Sequence, residues 1–355
     1  MGGNAFGTPA VPLIPWAYDR LLAHITQALS GLELAVPPPL PKEEHGDVDV
    51  LVSSSLADFE GDSKGKPAAS YTDIAQLESL GDVDSVCSEL CRRMGGTMWT
   101  RFGRVVSVAV PLSIALPSVP PPDPDEFHQV DLILVPPRSL AWAQMEMTYG
   151  QAPQLLKHLC RTAAGGRMSV QATHLGFLCQ GPQKRRLEIE LTTSPAQLCA
   201  WLGLKPYDPH TFHNTSVTSP TTDGVGTGTA AEIARMEPLF AWLGSAPPAS
   251  LAGRAYARLV EQWEHGGLVR RTGMVPPLSN RQKKMKYDDD VAETFCRWLA
   301  EHRRGGTGED LPSREEENVD EDLQVCRARC PELGDEAIRT LLFFDKMETY
   351  LATRA

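Results

Sequence analysis

Two aspartates one residue apart, Asp47 and Asp49, lie in the run His45-Gly46-Asp47-Val48-Asp49-Val50-Leu51-Val52. A third, Asp131, interrupts the apolar run Phe127-His128-Gln129-Val130-Asp131-Leu132-Ile133-Leu134-Val135. Side chains alternate between the two faces of a strand, so Asp47 and Asp49 project together while Val48, Val50 and Val52 take the other side. By the same count Val130, Leu132 and Leu134 share one face, and Asp131 projects from the opposite one with Gln129 and Ile133. Three carboxylates gathered from two neighbouring strands can hold a pair of divalent ions about 3.5–4 Å apart, one orienting an attacking hydroxyl and the other a triphosphate. Mg²⁺ is the expected ion, with Mn²⁺ as the alternative, because it takes hard oxygen ligands and completes its shell with water and phosphate. Taken singly, each aspartate also has a structural reading: a turn at Gly46-Asp47, the solvent side of an edge strand for Asp49, a hydrogen-bond acceptor for Asp131. The combination is what points to chemistry.

The elements that must position these residues follow from periodicity. Tyr18, Leu21, Leu22, Ile25, Ala28 and Leu29 recur at helical spacing and stop at Gly31, and Pro37-Pro38-Pro39-Leu40-Pro41 reads as an extended connector into the Asp47 strand. Val83, Val86, Cys87, Leu90, Cys91 and Met94 outline a second helix, stopped by Gly95-Gly96 and capped by Asp82. The tetrapeptide Gly81-Asp82-Val83-Asp84 repeats the Gly-Asp-Val-Asp of the first strand, but a helical pattern follows it, so its carboxylates belong to a helix N-terminus and not to the site. Arg104 to Val110 reads as a strand, followed by a proline-rich loop.

The pattern resembles the nucleotidyltransferase superfamily of the DNA polymerase beta type, whose signature is a glycine pair, an Asp-x-Asp strand and a later Asp strand. The matching residues are Met1-Gly2-Gly3-Asn4-Ala5-Phe6-Gly7, His45 to Val52 and Gln129 to Ile133, so the resemblance spans residues 1–135. It implies that Asp47 and Asp49 are shared metal ligands, that Asp131 is the third ligand beside the acceptor hydroxyl, and that Gly2-Gly3 lets the backbone approach the triphosphate. A whole helix and the proline connector separate Gly3 from Asp47, whereas the family has a short gap there. The glycine assignment therefore requires the helix to fold back. Asn4, Lys42, Gly46 and Tyr149 complete the expected nucleotide-binding set, Lys42 as a point charge for a phosphate oxygen.

The remaining sequence bounds the reading. The 355 residues suffice for two packed domains, and 42% hydrophobic with 22% charged residues is an ordinary globular balance. A net charge of -11 argues against a broad grip on duplex nucleic acid, while Lys184-Arg185-Arg186, Arg270-Arg271, Lys283-Lys284-Met285-Lys286 and Arg303-Arg304 are local basic clusters. Eight cysteines in a chain of this length read as buried thiols rather than a disulfide framework. No run of about 18 apolar residues and no secretory pattern is present, so an intracellular, cytoplasmic protein without membrane association is expected, a nuclear one being the alternative. Phosphate loops, nucleophile elbows, zinc-protease and dinucleotide fingerprints are absent.

The expected architecture is α/β (α+β). A nucleotidyltransferase core with a short mixed β-sheet flanked by helices spans 1–205. A loop or linker follows over 206–229, then a mainly helical domain over 230–355 with an acidic connector near 305–322. The expected activity moves a nucleoside monophosphate from ATP or another nucleoside triphosphate to an acceptor hydroxyl, and the basic clusters favour a tRNA-like RNA end as acceptor. A non-catalytic nucleotide- or RNA-binding protein and an interaction scaffold that keeps the fold are the alternatives.

Overall fold

The computed structural model describes residues 5–40, 43–54, 62–65, 83–116, 126–150, 152–180, 186–213, 235–265, 280–303 and 317–353. It divides into two compact units, Met1–Pro37 with Pro41–Gln144 and Pro38–Leu40 with Met145–Ala355.

The first unit contains strands β1 (Leu34–Ala35), β2 (Asp47–Ser53), β3 (Asp62–Gly65), β4 (Met98–Phe102), β5 (Val105–Pro111) and β6 (Phe127–Val135). They form one six-stranded sheet in the order β1-β2-β6-β5-β4-β3. Only β2 and β6 are parallel; the other neighbours run antiparallel. The alternation read from the sequence is realised: Val48, Val50 and Val52 of β2, Val130, Leu132 and Leu134 of β6, and Val106, Val108 and Val110 of β5 are all buried in one core cluster. Helix α1 (Pro15–Ala28) contributes Ala17, Tyr18, Leu21 and Ile25 to that cluster, and α2 (Val83–Arg93) contributes Val86, Cys87 and Leu90. Pro15 starts α1 because its fixed φ suits the first helical position, where no amide hydrogen is needed.

Asp84 lies in the first turn of α2 and Arg92 and Arg93 in the last, each sign matching the helix dipole. Glu89 of the same helix is buried, and Arg92 at 2.7 Å and Arg93 at 2.9 Å neutralise it. The two glycines after α2 do different things. Gly95 adopts φ +71, whereas a Cβ on Gly96 would stand 2.5 Å from Cγ1 of Val108 and 2.8 Å from Sγ of Cys91, so only glycine lets the helix end meet β5.

The second unit holds a three-stranded antiparallel sheet, β7 (Met168–Val170), β8 (Leu175–Gln180) and β9 (Arg186–Thr192), and helices that include Ala152–Ala163, Pro195–Leu202, Leu251–Glu264 and Asn280–Arg303. No helix among the described residues is long and apolar enough to cross a membrane. The eight cysteines are free and buried.

Several expectations change. The compact units divide between Gln144 and Met145, earlier than the boundary at 205 drawn from the sequence, and β7 to β9 make a sheet of their own rather than extending the first. The linker expected from 206 begins with structured residues: His210–His213 form a helical turn, and Phe212 is buried against Tyr207 and Trp242. Residues 214–229 of that linker lie outside the described residues. The acidic connector is in part helical, since helix Glu317–Arg329 takes in its last residues and carries Arg327 and Arg329 in its last turn, where the dipole favours positive charge. Within the mainly helical domain the chain's last turns are two helices, Asp335–Phe343 and Met347–Ala352, parted at Asp345, whose φ of 53° no helix accepts. Strand β4 was not anticipated; it pairs with β5 through a tight turn in which Gly103 has φ +58.

Ile25 is fully buried where α1 meets the sheet. Ile25→Ala is expected to destabilise the protein by about 2–5 kcal/mol, read as a fall in the urea midpoint with an unchanged slope; a change under about 0.5 kcal/mol would contradict this packing.

Candidate metal centre

The parallel register of β2 and β6 sets Asp49 directly beside Asp131 and Asp47 beside Gln129, on the sheet face away from the valines. Neighbouring strands are about 4.8 Å apart, so the carboxylates of Asp49 and Asp131 are brought together by backbone pairing alone. One oxygen from each of Asp47, Asp49 and Asp131 lies within 4.8 Å of the other two. Oxygens that share one hard cation at about 2.0–2.6 Å are at most about 5 Å apart, and short aspartates supply the ligand type that such ions take. The three residues fit a divalent cation.

Their electrostatics point the same way. Asp49 has its carboxyl pushed up to about 7, first by burial, then by the negative charge of Asp47 and of Asp131. Asp131 is also raised, chiefly by burial and by Asp47, while hydrogen bonds from Ser107 and Gln129 oppose the rise. Ser107 faces Asp131 across the β5–β6 pairing, and Nε2 of Gln129 donates to Oδ1 of Asp131 at 2.9 Å. Asp49 has no hydrogen-bond donor of its own among the described residues. Tyr18 of α1 stands near enough for Asp49 and Asp47 to push its phenol far above the usual range, after burial, so it stays neutral; its ring packs 4.5 Å from that of His45.

The N-terminal segment is fastened beside this centre. The backbone N–H of Ala5 donates to Oε1 of Gln129 at 3.0 Å, and the Phe6 ring meets that of Phe127 edge-on at 5.2 Å. Val11 donates to the Phe127 carbonyl at 2.9 Å, and Leu13 exchanges backbone hydrogen bonds of 2.7 and 2.8 Å with His45. Nδ1 of His128 lies 2.9 Å from the Val11 carbonyl, which only accepts, so Nδ1 carries the hydrogen. The buried His128 therefore sits on the valine side of β6, as the alternation requires, and its low proton affinity follows from burial.

Of the residues singled out from the sequence, Asp47, Asp49 and Asp131 converge. Gly46 is an exposed bend just ahead of β2. Tyr149 lies in the second unit, buried, with φ 56°, its hydroxyl donating to the Phe212 carbonyl at 3.0 Å and its ring edge-on to Phe212 at 5.8 Å. Gly2, Gly3, Asn4 and Lys42 lie outside the described residues, as does Asp82 of the repeated tetrapeptide. Gln129 carried a signal, since it stands two residues before Asp131 on the same face. Ser107 and Tyr18 carried none, because their proximity to the carboxylates comes from pairing and packing between distant segments. The chain matches no model of a known protein family and no curated protein.

A carboxyl raised in the folded state binds its proton more tightly there than in the unfolded chain, so its contribution to stability is present at acid pH and is lost as pH climbs from about 4 through about 7. In metal-free buffer, Asp49→Asn is expected to raise Tm, by more at pH 8 than at pH 5, with a gain on the order of a few kcal/mol at the higher pH. Equal Tm changes at the two pH values would show that Asp49 ionises normally.

Proposed function

We propose that the chain is a metal-dependent nucleotidyltransferase, and the observation that carries this reading is the convergence of Asp47, Asp49 and Asp131 within 4.8 Å on paired strands. Three carboxylates crowded together, of which Asp49 and Asp131 are raised in pKa, supply the hard oxygen ligands that suit a cation. Divalent cations held there would supply positive charge to the triphosphate and to the developing charge of in-line attack by a hydroxyl. Asp47 and Asp49, consecutive on one face of β2, act as the shared ligands. Asp131 is the carboxylate assigned to the acceptor side. It is the carboxylate placed to take the acceptor hydroxyl's proton, and Ser107 and Gln129 hold it in place.

The resemblance to the polymerase beta type of nucleotidyltransferase supports the same assignment. A helix and a proline-rich connector stand between the glycine pair and Asp47, and the hydrogen bond from Ala5 to Gln129 brings the chain just after that pair to the neighbour of Asp131. Mg²⁺ is the metal proposed, a nucleoside triphosphate the donor, and a hydroxyl on an RNA end the acceptor favoured by the basic clusters.

Incubation of the full chain with each α-labelled nucleoside triphosphate, Mg²⁺ and total RNA tests the proposal. Label should move to the acceptor, and Asp47→Ala/Asp49→Ala should lower that transfer by about 10²-fold or more, since metal ligation supplies several kcal/mol of transition-state stabilisation. Triphosphate binding without pyrophosphate release, with RNA, proteins and metabolites all tried as acceptors, would instead leave a binding protein.

A further inference from the structure

We infer that Gln129 is a positioning residue that couples the N-terminal segment to the third carboxylate, so that the seating of that segment sets the orientation of Asp131. The inference rests on the reading of Asp47, Asp49 and Asp131 as metal ligands.

Gln129 is 4% exposed and lies beside Asp47 in the β2–β6 register, on the same face as Asp131. Its amide bridges two elements far apart in the chain: Oε1 accepts from the backbone N–H of Ala5 at 3.0 Å and Nε2 donates to Oδ1 of Asp131 at 2.9 Å. The direction of the amide is fixed by its partners. A backbone N–H can only donate and an ionised carboxylate can only accept, so a flipped amide would face a donor with a donor and an acceptor with an acceptor. The bridge is therefore single-valued, and a shift of Ala5 moves the amide that aims Asp131.

The segment that carries Ala5 is seated independently of Gln129. Phe6 packs on Phe127, Val11 bonds to Phe127 and His128, and Leu13 to His45. Ala5 thus arrives at Gln129 with its position already decided. Without the amide, Asp131 would keep Ser107 as its remaining hydrogen-bond partner of those described. Outer partners that aim a metal ligand are worth about 10–100-fold in metal affinity or activity.

Mn²⁺ binding to the full chain, followed by electron paramagnetic resonance with Asp49→Ala as the blank, reads this coupling without relying on catalysis. Gln129→Met is expected to weaken Mn²⁺ binding about 10-fold or more. Ala5→Pro removes the N–H at an exposed position and leaves Gln129 intact; it is expected to weaken binding in the same direction, while Ala5→Gly, which keeps the N–H, retains wild-type affinity. The double variant Ala5→Pro/Gln129→Met should bind no more weakly than Gln129→Met alone, the signature of one shared linkage. Ala5→Pro stands as the deciding variant where Gln129→Met fails to fold. Wild-type affinity in Ala5→Pro, or additive losses in the double variant, would overturn the coupling while the metal centre stands. Absence of Mn²⁺ binding to the wild type beyond the Asp49→Ala blank would overturn both.

Discussion

The in-register parallel pairing of β2 with β6 is the constraint on which the first unit turns. It puts Asp49 against Asp131 and Asp47 against Gln129, so three negative side chains share one patch of sheet. Like charges directly opposite each other weaken a sheet, and burial of the carboxylates adds to the cost. The opposite face offsets it. Val48, Val50, Val52, Val130, Leu132 and Leu134 come from the same two strands and are buried under α1 and α2, so the pairing that crowds the carboxylates also assembles the core. A slip of one residue in register would exchange the two faces and lose both at once.

Around that pairing the polar groups form a graded support. Asp131 has Ser107 and Gln129, Gln129 has Ala5, and Ala5 belongs to a segment anchored on Phe127, His128 and His45. Asp49 has no such donor among the described residues, and burial with the charges of Asp47 and Asp131 raises its proton affinity. At the β6 side the support of Asp131 thus reaches back through Gln129 to the N-terminal segment.

Much of this was legible in the residues. The alternation of aspartate with valine in β2, and a lone carboxylate in the apolar β6, predicted both strands, their faces and the three residues that converge. Of the repeated tetrapeptide, Asp84 lies in the first turn of a helix, as the pattern after it indicated. What escaped notice depends on distant pairing or on a balance between charge and helix. Strand β4 was hidden because Arg101 occupies a buried position where a strand pattern wants an apolar residue. The acidic run near Glu317 was read as connector, but its last residues begin a helix, Glu317–Arg329. Tyr149 was read as a nucleotide-binding residue, and its left-handed backbone and its bond to Phe212 could be seen only in the fold. Ser107 could be tied to Asp131 only once the β5–β6 register was known.

The crossover between β2 and β6 gives the site a history in time. Parallel strands cannot be joined by a hairpin, and here the chain travels from Ser53 to Phe127, laying down β3, α2, β4 and β5, before β6 can insert next to β2. During synthesis Asp47 and Asp49 emerge early, but their strand gains its central neighbour only when β6 has left the ribosome. Until then that edge of β2 has no partner, and the strand carries two carboxylates among its valines, the kind of charge that discourages pairing with other chains. A nascent strand of valines that carries two carboxylates has charges of the gatekeeper type built into it.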